Sequence, residues 1–300
     1  MSFNFVDPDQ GDNHLLISIA SASGGGKTFS AMELAAGICG DKPFAVIDTE
    51  AGRAKHYRSK FNFKHLDFAP PFTPERYTQA VQAAEKQGYE VCVIDSMSHE
   101  YDGQGGIMDI KEATPGKEGP GKWMDAKKRH KKMMNAFLQC RMHLIFCLRA
   151  EEKLDMSQKD PQTGKVIVTS QGWVPIQEKR FKFEMTASFT MTPSAPGIID
   201  LSLPHKVQDQ HRMAFMPGQH VTREAGKFLA AWSRGDAVEQ PDSALWQRAR
   251  LIANEGREAL VRFWTQVATP EEKENLRVIS MELKGLAEVA DRNRGMFDEV

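Results

Sequence analysis

The chain has no long hydrophobic run, few cysteines and no surplus of charge, and each absence removes a class of protein. No stretch of its 300 residues approaches the roughly 20 apolar positions a membrane-spanning helix needs. The first residues, MSFNFVDPDQGDNH, lack a basic region followed by an apolar core, so no export signal is expected and the expected location is the cytosol. Only four cysteines occur, Cys39, Cys92, Cys140 and Cys147, with no C-x-x-C pair and no histidine spacing that suggests zinc. Cys92 and Cys147 fall inside apolar runs, and all four read as reduced, structural thiols. Lys and Arg total 39 against 40 Asp and Glu, a net charge of −1, so attraction to nucleic acid cannot be global and must come from a local patch. There is no internal repeat, and the one low-complexity patch is the Gly, Pro and Lys-rich stretch 114–122.

What is present begins with LISIASASGGGKTFSAMELAAG, Leu16 to Gly37. Leu15 to Ala20 is an apolar run of strand length, and Phe29, Met32, Leu34, Ala35 and Ile38 recur at helical spacing, so the segment reads as strand, glycine loop, helix. Such a loop turns backbone N–H groups inward around phosphate oxygens, and the helix N-terminus adds partial positive charge at the same point. In the signature G-x-x-x-x-G-K-[ST] the lysine reaches the β- and γ-phosphates and the hydroxyl holds magnesium. Lys27 and Thr28 fit those roles, and Ser21, Ala22, Ser23, Gly24, Gly25, Gly26, Lys27, Thr28 and Phe29 form the candidate contact set for ATP. Ser21 stands where the signature has its first glycine; Gly24 and Gly25 keep the loop permissive. The competing reading is a flexible glycine turn.

A second apolar run in PFAVIDTEAGRAKHY ends in acidic residues. Thr73 to Gly88 then reads as an amphipathic helix, and the run in YEVCVIDSMSHEY closes on Asp95 and Ser96. A strand ending in Asp beside a phosphate loop suits magnesium, directly or through water, and makes Asp95 and Thr28 the candidate metal residues. Glu50 is placed to orient and deprotonate an attacking water; otherwise it is a surface residue or a cap.

In the order of these motifs the chain resembles the RecA-like P-loop ATPases. IDSMSHEYDGQGGIMDI and HVTREAGKFLAAW resemble the phage AAA-domain ATPases that include Sak-type single-strand-annealing proteins. The resemblance spans roughly Leu15 to Trp232. It implies an α/β fold, a RecA-like P-loop NTPase core with a mostly parallel central sheet flanked by helices, and a small α-helical C-terminal region. It implies Glu50 as the catalytic carboxylate, Asp95 on the magnesium side, and Lys27 and Thr28 in the phosphate loop. It also makes Arg149, at the end of the run MHLIFCLRAEEK, a candidate sensor of the γ-phosphate or a direct phosphate contact, against a plain strand-end arginine in water. His99 and Glu100 are further candidates by position, or members of a solvated loop.

Two stretches offer contacts to DNA. A helix is expected from about Trp123 to Cys140, with Trp123, Ala126, His130, Met133 and Phe137 as its apolar stripe and His130 as a packed residue. On its remaining surface Lys127 and Lys131, and Lys128 and Lys132, sit one turn apart, a repulsive spacing that phosphates would relieve. The alternative is a solvated charged face. Further on, a turn around Pro161 to Gly164 suggests a hairpin, and Lys179, Arg180 and Lys182 interleave with Phe181 and Phe183, which suits phosphate contact with base stacking or an ordinary half-buried strand. ASFTMTP and GIIDLSLP read as closing strands.

The expected domains are an ATPase unit over 1–234, a linker over 235–242 and helices over 243–300. The last region shows three apolar runs, Leu245 to Ile252, Leu260 to Val267 and Leu276 to Ala290, with Asp242 or Ser243 as a start signal. The leading expectation is an ATP- and Mg2+-dependent protein acting on single-stranded DNA in recombination or annealing. It would self-associate as a ring or filament, with a single-strand-binding protein as a further possible partner and no membrane. The alternatives are a nucleotide-dependent loading or assembly factor for a replication or packaging partner, and a small-molecule kinase, which Glu50 beside the phosphates disfavours.

Overall fold

The computed structural model describes residues 13–116, 118–159, 164–236, 243–277 and 279–297. In chain order the elements are β1 (Leu16–Ser21), α1 (Lys27–Cys39), β2 (Phe44–Asp48), β3 (Phe63–Asp67), α2 (Pro74–Lys86), β4 (Val91–Asp95), α3 (Ser98–Asp102), α4 (Ile107–Ala113) and α5 (Met124–Leu138). There follow β5 (His143–Lys159), β6 (Val166–Pro175), α6 (Phe181–Glu184), β7 (Ala187–Met191) and α7 (Arg223–Ser233). The last helices are α8 (Ser243–Ala253), α9 (Arg257–Arg262), α10 (Pro270–Arg277) and α11 (Ser280–Phe297).

Six strands run parallel in the order β3-β2-β4-β5-β1-β7, and β6 pairs antiparallel with the outer half of β5. This is the mostly parallel α/β sheet the sequence predicts. Strands β1, β2, β4 and β7 are buried at every residue, because helices cover both faces; hence their nearly unbroken apolar sequences. Alternate residues face opposite layers. Ile17, Ile19, Val46, Val93 and Ile145 pack with α1 and α7, whereas Leu16, Ile47, Ile94, Leu144 and Phe146 pack with α2 and α5. All four cysteines are buried free thiols, and burial pushes the Cys39 thiol up to about 12 and that of Cys140 up to about 11.

Several expectations need correction. β3 lies at the sheet edge with Phe63 and His65 only partly covered and Leu66 exposed, so FKHLD carries no apolar run to reveal it. The strand carrying Arg149 does not end there: it continues to Lys159 and leaves the parallel sheet to pair with β6. GIIDLSLP forms no strand, only isolated bridges such as Thr190 to Asp200 and Ile198 to His220. Nor do Lys179 to Phe183 form one; they make a turn and the single helical turn α6, which buries Phe181 and leaves Phe183 64% exposed. Of the expected turn around Pro161 to Gly164, 161–163 lie outside the described residues, as do Asp242 and most of the expected linker.

The expected third C-terminal run is two helices, since α10 ends at Arg277 and α11 starts at Ser280. A π-helical turn, Phe263–Val267, prolongs α9. These helices enclose their own cluster around Trp246, Leu276, Ile279 and Leu283. They meet the rest of the chain through charge. Arg250 donates from Nη2 to Asp209 Oδ1 at 3.0 Å and Arg212 lies 3.1 Å from Glu282 Oε2, while within the helices Arg250 Nε donates to Glu282 Oε1 at 2.8 Å.

α1 has one neighbour at unusually close range. A Cβ on Gly37 would stand 2.1 Å from the Arg223 carbonyl oxygen, and one on Gly226 would stand 2.3 Å from that of Leu34. The two glycines therefore let α1 and α7 cross backbone to backbone, which fixes the helix that follows the phosphate loop. Gly226→Ala forces these backbones apart and is expected to lower stability by about 1–3 kcal/mol in urea unfolding; unchanged stability would mean the helices are not held this closely.

Candidate nucleotide site

The glycine loop joins β1 to α1 at the C-terminal edge of the sheet, where open parallel sheets place ligands. Its glycines answer different demands. Gly25 is limited by space: a Cβ there would lie 2.7 Å from Ser21 Cβ and 2.8 Å from Ser21 Oγ. Ser21 is fully buried, with its hydroxyl donating to the Ala22 carbonyl at 3.0 Å. The serine in place of the first glycine thus takes up volume that Gly25 gives back. Gly26 is limited by conformation as well, with φ of 89°, and its missing side chain leaves room for the Gly197 backbone, whose N–H donates to Gly25 O at 3.0 Å.

Lys27 and Thr28 open α1. Thr28 Oγ1 donates to Asp95 Oδ2 at 2.6 Å, tying the helix start to the tip of β4 across 67 residues of sequence. Asp95 is 2% exposed; burial raises its pKa, the Thr28 hydrogen bond and the Lys27 charge oppose the rise, and Glu50 and Asp48 add to it. Its second oxygen, Oδ1, is buried without a partner. A buried carboxylate with an idle oxygen beside a threonine hydroxyl fits a magnesium ion, which would be held by Thr28 and Asp95 and would neutralise charge on the phosphates. Among the described residues no group of three or more His, Cys, Asp or Glu forms a metal cluster of another kind.

Glu50 stands two residues beyond the end of β2, half-buried, with Arg53 Nη1 3.5 Å from Oε2. Its turn is built by Asp48, a residue the sequence reading passed over. Asp48 is 1% exposed; Oδ1 accepts from Glu50 N at 2.7 Å, and Oδ2 accepts from Ala54 N and lies 3.0 Å from His65 Nε2. Thr49 locks the turn to β4. Its N–H donates to Asp95 O at 2.7 Å, its Oγ1 accepts from Ser96 N at 2.7 Å, and His99 Nδ1 lies 2.6 Å from that oxygen. Glu50 and Asp95 thus stand at the tips of neighbouring strands, since β2 pairs with β4 at Asp48 and Asp95, and the Thr28 hydrogen bond brings the start of α1 to Asp95 across β5.

Arg149 lies opposite Ser21 in the β1–β5 pairing, beside the glycine loop. It is not a free strand-end arginine in water. Its Nη2 donates to Asp102 Oδ1 at 2.7 Å and Oδ2 at 2.6 Å, its N–H donates to Ser98 Oγ at 2.9 Å, and its Nε is buried without a partner. His99 and Glu100 are in α3, not in a solvated loop, and Glu100 is fully buried. Burial, and then Arg149, lower the His99 pKa. No local pattern marks Asp102 or Ser98, because their roles depend on β5, some 50 residues away.

The candidate DNA residues divide. Lys127, Lys131 and Arg180 line a cavity of about 290 Å³ between α5 and α6, together with His130, Glu178 and Glu184. Lys127 and Lys179 border an adjoining one of about 240 Å³, which His130 and Glu178 also line. Lys132 lines another cavity with Arg129 and Glu75, Lys128 is exposed outside all three, and Lys182 lies over Phe183 with Nζ 5.5 Å from the ring centre. The helix buries Ala126, His130, Met133 and Phe137 of its expected stripe, whereas Trp123 lies in the turn before it and is only partly buried.

A parallel sheet with a lysine-bearing glycine loop after β1 and buried carboxylates at the tips of β2 and β4 defines a P-loop nucleotide-binding core. A family model described as an AAA domain matches residues 14–193, more than half of the chain, and the chain belongs to that family, whose members are generally ATPases. No curated protein matches it. Among the described residues no helix is long and apolar enough to cross a membrane.

The Ser21 and Gly25 contact is directly testable. Gly25→Ala is expected to weaken binding of a fluorescent ATP analogue at least about tenfold, and Ser21→Gly in the same chain to restore most of it, because only space is at issue there. Absence of rescue in the double variant would show that the serine does not compensate for the glycine.

Proposed function

We propose that this AAA-domain protein binds ATP with Mg2+ and hydrolyses it, and that it acts on single-stranded DNA in phage-type recombination or annealing. The observation that carries the ATP reading is the Thr28 to Asp95 hydrogen bond at 2.6 Å with the idle Asp95 oxygen beside it. Lys27 would hold the β- and γ-phosphates against the loop amides. Magnesium, when bound, supplies positive charge where the phosphoryl group is transferred. Glu50 would take the proton of the attacking water, its backbone oriented by Asp48 and Thr49. Arg149, held by Asp102, would sense the γ-phosphate.

Support for single-stranded DNA comes from the groove that gathers Lys127, Lys131, Lys179 and Arg180, and from the motif resemblance to Sak-type annealing proteins. Self-association, with a neighbour completing the site, belongs to the same reading. A second reading, a loading or assembly factor for a protein partner, rests on a separate observation. The C-terminal helices form an apolar cavity of about 530 Å³ between α9 and α11, floored by Leu260, Trp264 and Leu283.

The test is ATP turnover with and without single-stranded DNA. DNA is expected to stimulate turnover, Lys27→Ala to abolish nucleotide binding, and Glu50→Gln to keep binding while turnover falls at least about a hundredfold. Normal hydrolysis by Glu50→Gln would remove that residue from catalysis, and turnover indifferent to DNA would favour the second reading.

A further inference from the structure

Helix α3 is five residues long, and four of its side chains reach different parts of the molecule. Ser98 accepts from the Arg149 N–H, Asp102 clasps the Arg149 guanidinium, and His99 contacts Thr49, the neighbour of Glu50. Glu100 points the other way. Its Oε1 lies 3.0 Å from His130 Nδ1 on α5, and His130 lines both basic cavities that hold Lys127, Lys131, Lys179 and Arg180. One helical turn therefore touches the nucleotide site with three side chains and, with the fourth, holds a histidine that lines the basic groove.

The Glu100 to His130 contact is unusual for a core. Glu100 is 0% exposed and His130 7%, and Glu100 Oε2 is buried with no partner. A buried ionic pair is often no more stabilising than apolar residues of the same volume, so packing alone does not call for it. In this low-dielectric setting the pair feels strongly any charge brought close to it.

We infer that Glu100 is a positioning residue that couples the basic groove to the nucleotide site through His130 on one side and α3 on the other. The inference rests on the reading of the groove as a single-strand site. A phosphate entering between Lys127, Lys131 and Arg180 brings negative charge beside His130 and competes with Glu100 for that imidazole. Glu100 belongs to the same turn as Ser98, His99 and Asp102, so a change in its hold on His130 is passed to Arg149 and to the Thr49–Glu50 turn. By reciprocity, a bound triphosphate changes the groove's affinity by the same factor.

The experiment uses the full chain, Mg2+ at fixed salt, a fluorescent ATP analogue and an oligothymidylate. In the wild type, saturating oligonucleotide is expected to change the analogue's affinity by at least about fivefold. Glu100→Gln is expected to reduce that factor below about twofold, while each ligand's affinity measured alone stays within about threefold. A merely structural Glu100 would shift the separate affinities and leave the factor alone. If Glu100→Gln does not fold, His130→Gln is the second variant: whatever it does to oligonucleotide affinity alone, the coupling factor is expected to fall below about twofold, since the partner of Glu100 is gone. A wild-type factor in either folded variant overturns the inference while leaving the groove reading intact, as does wild-type protein that binds both ligands without coupling. Wild-type protein that binds ATP but no oligonucleotide overturns the groove reading and the inference with it.

Discussion

One hydrogen bond organises the molecule: the Thr28 hydroxyl to the Asp95 carboxylate. It joins the N-terminus of α1 to the tip of β4, two points brought together only because β5 sits between β1 and β4 in the parallel sheet. An ionised carboxylate in this position is costly, since desolvation of such a group runs to several kcal/mol and one of its oxygens has no partner. The threonine hydroxyl and the charge of Lys27 offset part of this, and a divalent cation would offset more. The fold thus keeps a carboxylate short of positive charge at the place where a metal-bound triphosphate would arrive.

The surroundings are arranged to hold that spot rigid. Gly37 and Gly226 bring α7 onto α1 at backbone contact, so the helix behind the loop has little freedom. The 196–197 loop seats its backbone against Gly26 from the other side. Asp48 and Thr49 use buried side-chain bonds to fix the turn that carries Glu50, so the candidate water-activating group is oriented by the same β2–β4 pairing that positions Asp95. Sites built this way, on strand tips and a helix start, hold their geometry more closely than sites on free loops.

How much of this the sequence reveals depends on the distance over which each feature is encoded. The loop, α1, β2 and β4 are legible because their signals are contiguous: an apolar run, a glycine cluster with Lys27 and Thr28, an acidic strand end. β3 is not, because an edge strand with partly exposed side chains has no apolar run to show. The interleaved stretch from Lys179 to Phe183 misleads for the opposite reason. Alternation there suggests a strand with Phe181 and Phe183 on one face, whereas the helical turn, at about 100° per residue, puts Phe181 inside and Phe183 outside. The compensation between Ser21 and Gly25, the clasp of Asp102 on Arg149 and the burial of Glu100 against His130 arise from packing between distant segments, and no residue pattern announces them. The boundary between α10 and α11 is hidden because Leu276, Ile279 and Leu283 keep helical spacing across it.

The measurement that bears most directly on this account replaces magnesium with manganese and compares, by electron spin resonance, the free-ion signal of Mn2+ and ATP with and without the protein, so that uptake by ATP itself is subtracted. The protein should take up Mn2+ when ATP is present and not in its absence, and Asp95→Asn should weaken that uptake at least about tenfold while the variant still folds. Uptake by Asp95→Asn equal to the wild type would contradict the assignment of Thr28 and Asp95 as the place where metal and triphosphate meet.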